Sequence, residues 1–281
     1  MGKSSFLPVL ALVGGAAGFG LRFWQYSSAF DPTAQLFRSG APATVALIVV
    51  LAALAAAALL LVRGAAAPSD YVHAFYCPSA GYMTLMTAGS FLMLAAAALG
   101  VLEVREQLTL WRMGYGVPMP MMLALAAVLC MPAAVGGLML GKGNYRGDLP
   151  AGHPLLATLP AYVVLPWIVA LYQEYSRQPE TMLFVFSILA VICAELGFYR
   201  AAAMAFGRVH VKQCLFFSMM GIVLLLTSLA DRPSRFFAVM ALACVLMLTA
   251  QSMALARNAF GPAWPTLPVT VEERDEPEAE E

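Results

Sequence analysis

The chain has 281 residues, of which 61% are hydrophobic and 11% charged, with a formal net charge of zero. Its mean hydropathy is +0.78, whereas soluble domains carry about a quarter charged residues, and a soluble fold of this length has no interior large enough for so much apolar surface. A water-soluble enzyme or a nucleic-acid-binding domain is thereby excluded, and the partner implied is the lipid bilayer.

Crossing hydrocarbon takes about 20 apolar residues as a helix, because every backbone N–H and C=O must be paired within the protein. The apolar runs are continuous and rich in Ala, Leu and Met, without two-residue alternation, so the fold class read is all-α: a polytopic integral membrane helical bundle. Eight spans are predicted, over Phe6 to Phe23, Pro42 to Val62, Ala80 to Leu102, Val117 to Leu140, Pro154 to Tyr172, Met182 to Phe206, Gln213 to Ala230 and Phe236 to Leu255. One bundle then occupies residues 1–260, and 261–281 form a Pro-containing, acidic tail expected to be disordered.

The first span is Gly-rich and follows Lys3. A cleaved signal peptide is the competing reading and would leave seven spans, but no clean small-x-small site precedes Arg22. Gly14 and Gly18, like Gly137 and Gly141 in the fourth span, are small-x-x-x-small pairs that let two helices approach closely. Such pairs serve packing within the chain, with a homo-oligomer as the alternative.

After the third span, Val101, Val104, Leu108 and Trp111 keep helical spacing through a charged stretch from Glu103 to Arg112. An amphipathic extension in or just above the interface is expected there, serving as an anchor or as a docking face for a partner subunit. The fourth span ends in Gly136-Gly137-Leu138-Met139-Leu140-Gly141-Lys142-Gly143, which fits the phosphate-loop pattern G-x-x-x-x-G-K. Gly143 replaces the hydroxyl residue that magnesium needs, and the motif closes a helix instead of opening one, so nucleotide binding is not read from it.

Prolines mark the fourth and fifth spans, with Pro132, Pro160 and Pro166 inside them. Carbonyls freed at such kinks can line a cavity or coordinate ions, although proline is also simply tolerated in membrane helices. Trp24-Gln25-Tyr26-Ser27 and Gln173-Glu174-Tyr175-Ser176, at the ends of the first and fifth spans, suit a four-plus-four duplication, but chance explains so short a match equally well.

The chemically distinctive residue is Glu195, near the middle of the sixth span. An acid at a helix centre costs about 2.5 to 3.5 kcal/mol on insertion scales, so its carboxyl is expected to face protein or water. Ser187, Val191, Glu195 and Tyr199 follow at four-residue steps, which brings the Tyr199 hydroxyl within expected reach. Gln251, Ser252 and Thr249 of the last span and Thr227 and Ser228 of the seventh are the other candidate partners. Glu195 either fixes helix register as a hydrogen-bonded carboxyl or titrates within a proton or cation path.

The last eleven residues hold seven acids and one arginine, leaving fifteen basic and nine acidic residues elsewhere, so the membrane body carries about six net positive charges. Trp264, in the Pro-flanked stretch before that tail, is expected to anchor at the interface. With eight spans, nine Lys and Arg fall on the side of the termini and seven on the other, a narrow preference for both termini in the cytoplasm of a cell-membrane protein. The five cysteines are widely spaced without a C-x-x-C and read as small buried apolar residues. His73, His153 and His210 fall in connectors or at helix ends, where they cannot face one another as haem ligands.

No metal or cofactor site is read from this pattern. Three function classes remain: a small-molecule or ion-coupled transporter using Glu195 and the kinked helices, a membrane anchor or assembly subunit, and an intramembrane enzyme. The last is weakest, since the spans hold no paired Asp, no H-E-x-x-H and no Ser/His pair.

Overall fold

The computed structural model describes residues 3–31, 33, 36–38, 40–115, 119–175, 184–262 and 264. The described elements are α1 (Lys3–Ala29), a two-residue hairpin of β1 (Phe30–Asp31) and β2 (Leu36–Phe37), α2 (Pro42–Val62), the short α3 (Tyr71–Phe75), α4 (Ala80–Arg112), α5 (Met121–Arg146), α6 (His153–Tyr175), α7 (Val185–Ala205), α8 (Val211–Ser228) and α9 (Arg235–Phe260). Among the described residues, eight helices are long and apolar enough to cross a membrane, so the chain is a multi-pass helical bundle. Eight crossings return the chain to the face from which it started. We call this the terminal face and its opposite the far face.

Several helices run past their expected ends. Helix α1 continues beyond Phe23 to Ala29, since Arg22 is buried with partners inside the protein and does not mark an exit to water. Helix α4 runs unbroken through the charged stretch to Arg112, 33 residues in all, or about 50 Å at 1.5 Å per residue against a hydrocarbon core of about 30 Å. Of its expected apolar stripe, Val104 and Leu108 are half-buried while Val101 and Trp111 are exposed. The expected starts of the fourth and sixth spans, Val117 and Met182, lie outside the described residues, as does the tail from 265 onward.

Helix α9 occupies the middle of the bundle, flanked by α1, α4, α7 and α8, and α4 to α8 follow one another around it as antiparallel neighbours. Helices α8 and α9 are the most enclosed, and α2, packed chiefly on α1, is the most exposed. Helices α5 and α6 continue through Pro132, Pro160 and Pro166.

Small residues set the helix spacing. A Cβ on Gly18 would strike the Thr227 hydroxyl of α8, and one on Gly14 would come within 2.9 Å of Leu54 of α2. Gly137 faces Met247 and Ser90, and Gly141 faces Met86, so all four glycines lie against this chain's own helices. Gly221 is tighter in kind, because its neighbours at 3.2 Å include the backbone N and Cα of Ala194, which cannot swing aside.

The terminal face is closed by α3 and the chain around it. Asp70 caps α3 by accepting from the His73 N–H at 2.8 Å, and Asn144 donates to the Tyr82 hydroxyl at 3.0 Å while its carbonyl accepts from Cys77 N–H. Asn258 of α9 donates to the carbonyls of Ala74 and Tyr76, both at 2.9 Å, and accepts from the Trp264 indole at 2.7 Å. Trp264 therefore docks on the protein, its ring under the Arg257 guanidinium. Burial pushes the Tyr71 phenol up to about 12 and raises the Cys77 thiol.

Replacing Gly221 by Val forces α7 and α8 apart and should cost about 1 to 3 kcal/mol, as overpacking does. A lower thermal midpoint in detergent checks this, with Gly20→Ala, where a Cβ meets nothing within 4 Å, expected to leave the midpoint unchanged.

Candidate functional site

The densest polar cluster lies near the far face, and sequence reasoning did not find it. Arg22 is fully buried, and its Nε donates to Asp231 Oδ1 at 2.6 Å. Its Nη1 donates to Gln25 Oε1 at 2.6 Å and its Nη2 to the Tyr26 hydroxyl at 3.4 Å. Gln25 donates onward to Thr44 of α2 at 2.8 Å, and the Ser187 hydroxyl of α7 donates to Asp231 Oδ2 at 2.9 Å. The cluster thus ties α1, α2, α7 and the end of α8 together.

Local structure explains how these groups meet. Helical steps of three and four residues put Gln25 and Tyr26 beside Arg22. Asp231 ends a 3₁₀ turn after α8, and the chain then reverses through Arg232, whose φ of 54° is left-handed, into Pro233. The hairpin folds Phe37 back over the cluster, so the guanidinium carbon lies 4.8, 4.9 and 5.2 Å from the ring centres of Tyr26, Phe186 and Phe37. Desolvating two charges is costly, and such a pair persists where hydrogen bonds and ring faces satisfy what remains of both ions.

Two cavities border the cluster. One of about 360 Å³ is lined by Phe23, Tyr26, Ser27, Phe30, Asp231 and Arg232. The other, about 10 Å³ or the size of a single water, lies between Trp167, Ser187, Val191, Ser228 and Phe237. Trp167 is buried against Phe237 with its rings stacked at 5.8 Å, and its Nε1 has no hydrogen-bond partner among the described residues.

Glu195 is the central residue of α7 and is half-buried, with Oε2 enclosed and lacking a hydrogen-bond partner among the described residues. The structure does not assemble the expected set around it. Tyr199 is 48% exposed and lies beside the Arg200 guanidinium, 5.5 Å from its ring centre. Each four-residue step advances about 40° around a helix, so Tyr199 is about 120° from Ser187, and their stripe drifts from interior to exterior.

The four expected hydroxyl partners donate to carbonyls of their own helices. Thr227 donates to the Val223 carbonyl at 2.8 Å, Ser228 to Leu225 at 2.9 Å, Thr249 to Val245 at 2.6 Å and Ser252 to Thr249 at 3.0 Å. Gln251 is half-buried, and its Oε1 has no hydrogen-bond partner among the described residues. The Cys244 thiol of α9 lies within electrostatic range of the Glu195 carboxyl.

Helix α6 contributes by what it lacks. Pro160 and Pro166 have no N–H, so the carbonyls of Leu156 and Tyr162 lose their usual helical donors. Counted along the antiparallel neighbours α6 and α7 from the far face, Pro166 and Glu195 lie at about the same depth, roughly 15 Å in. Pro132 frees the Val128 carbonyl of α5 in the same way.

Comparison with known proteins finds no matching family model, no matching curated protein and no matching solved structure. The chemistry of these residues is thus the basis for any functional reading.

Removing one member of the buried pair leaves the other ion unpaired. Asp231→Leu or Arg22→Met alone should each cost about 3 to 5 kcal/mol, whereas the double replacement should recover most of that loss. Thermal midpoints of the four proteins in one detergent form the double-mutant cycle; additive losses would mean that the two side chains do not act as a pair.

Proposed function

We propose that this multi-pass protein is a small-molecule or ion-coupled transporter of the cell membrane, with Glu195 as the coupling carboxylate and both termini in the cytoplasm. The observation that supports this best is the enclosed Glu195 oxygen at the centre of α7 without a hydrogen-bond partner among the described residues. A carboxyl kept at that depth against its insertion cost is suited to taking its partner from outside the chain, as a proton or a cation. The Tyr162 carbonyl that Pro166 frees on α6, near that depth, is an oxygen ligand of the kind proline-interrupted helices present to ions. In this reading the Arg22–Asp231 cluster closes the far face, and the α3 segment closes the terminal face.

A second reading, a membrane anchor or assembly subunit, draws on the α4 extension. Its last turns expose Trp111, followed by Met113 and Tyr115, as a docking element would.

An apolar carbodiimide, which attacks protonated carboxyls within a membrane, distinguishes the two. Glu195 should be modified less as pH rises and less when a coupling cation is present, with no modification of that position in Glu195→Gln. Mass spectrometry of proteoliposomes treated across pH in sodium, potassium or neither reads both effects. Labelling independent of pH and of cations would remove Glu195 from any transport step and leave the anchor reading.

A further inference from the structure

A cavity of about 560 Å³ lies at the far-face end of α4, between its extension and the first turn of α9. Six residues of α4 line it: Leu99, Leu102, Glu103, Glu106, Gln107 and Leu110. Their spacing of three or four places them on one helix face, rising about 16 Å along the axis. Ser234 and Arg235 form the opposite wall.

The groove changes character along its length. Its inner end is apolar and opens on an exposed surface, with Val101 at 61% and Leu102 at 62% exposure, and lies about 30 Å along α4 from its start, about the thickness of a hydrocarbon core. Its middle carries two carboxylates, an amide, a hydroxyl and a guanidinium. A soluble peptide has no access to the inner end, whereas a phospholipid standing along α4 has its chains at Leu99 and Leu102 and its headgroup at Glu103 to Gln107.

The charges narrow the headgroup. Arg235 and the two glutamates share the groove, yet no ion pair joins Arg235 to either glutamate among the described residues. Glu103 faces the Ser234 hydroxyl and the Phe236 backbone instead. Glu103 thereby answers the α9 N-terminus, while the Arg235 guanidinium in the same turn stands exposed and without an ion-pair partner among the described residues, a position that favours an anion. Glu106, one turn beyond Glu103 and exposed, favours a cation. Positive and negative walls held apart within one groove are complementary to a zwitterion.

We infer that this groove binds a phospholipid with a primary-amine headgroup, its phosphate on Arg235 and its ammonium on Glu106. A primary ammonium donates charge-assisted hydrogen bonds to a carboxylate, which a quaternary choline cannot do, and an anionic glycerol headgroup is repelled by Glu103 and Glu106. The site is independent of the transport reading, since it lies at the membrane surface and uses no residue of that path.

Native mass spectrometry of the delipidated full-length protein, titrated with phosphatidylethanolamine, phosphatidylcholine or phosphatidylglycerol of identical chains, tests the assignment. The ethanolamine lipid should be retained about tenfold better than the other two, the difference one lost charge-assisted contact makes. Glu106→Gln should reduce the preference over phosphatidylcholine to near unity, and Arg235→Ala should weaken retention of all three lipids together. Stepwise N-methylation of the ethanolamine headgroup should lower retention progressively on the unaltered protein, a result that does not depend on either variant folding. Equal retention of the three lipids, or a preference over phosphatidylcholine that survives Glu106→Gln, would overturn the inference.

Discussion

Hydrocarbon offers a polar group nothing to bond with, and this one constraint organises the molecule. It makes every span a helix, and it turns Thr227, Ser228, Thr249 and Ser252 back onto carbonyls of their own helices. It also draws Arg22 and Asp231 together from helices remote in sequence, and surrounds the guanidinium with an amide, a phenol and three ring faces. Against that background the enclosed oxygens of Glu195 and Gln251, like those of Ser90, Asn144 and Ser218, lack hydrogen-bond partners among the described residues, and Glu195 is the one carboxyl of that group.

The constraint also separates what was legible in the sequence from what was not. Span number and helical class follow from run length and composition, which act locally. Helix ends follow less well, because a charge marks an end only when it meets water: Arg22 suggested an exit and is instead the most enclosed cation of the bundle. The Arg22–Asp231 pair was illegible for a different reason. Its members lie 209 residues apart, each beside the expected end of a span, and no spacing rule connects them. The Glu195 set failed through geometry, since four-residue steps describe a stripe that winds around the helix, carrying Tyr199 outward. Gln25 and Tyr26 were the available signal, two polar side chains within one turn of an arginine.

Packing between the spans depends on small residues more than on apolar bulk, since lipid tails solvate Leu and Met as well as protein does. Gly18 lets α1 approach Thr227 of α8, and Gly221 lets α8 approach the backbone of α7. These close approaches bring α1, α7 and α8 near enough for Arg22, Ser187 and Asp231 to bond. The polar cluster and the glycine contacts are thus two parts of one arrangement, with α9 as the common wall behind them.

The sequence distance across that cluster has a consequence for how the protein is made. Ribosomal synthesis delivers α1 to the membrane long before the end of α8 exists, so Arg22 must wait through six further spans without its carboxylate. During that interval the arginine can be accommodated only by reaching toward the membrane surface or by partners within its own segment, Gln25 and Tyr26. The first helix therefore reaches its final depth and rotation late, once Asp231 has arrived. Biogenesis of the bundle is in this sense closed by its first span.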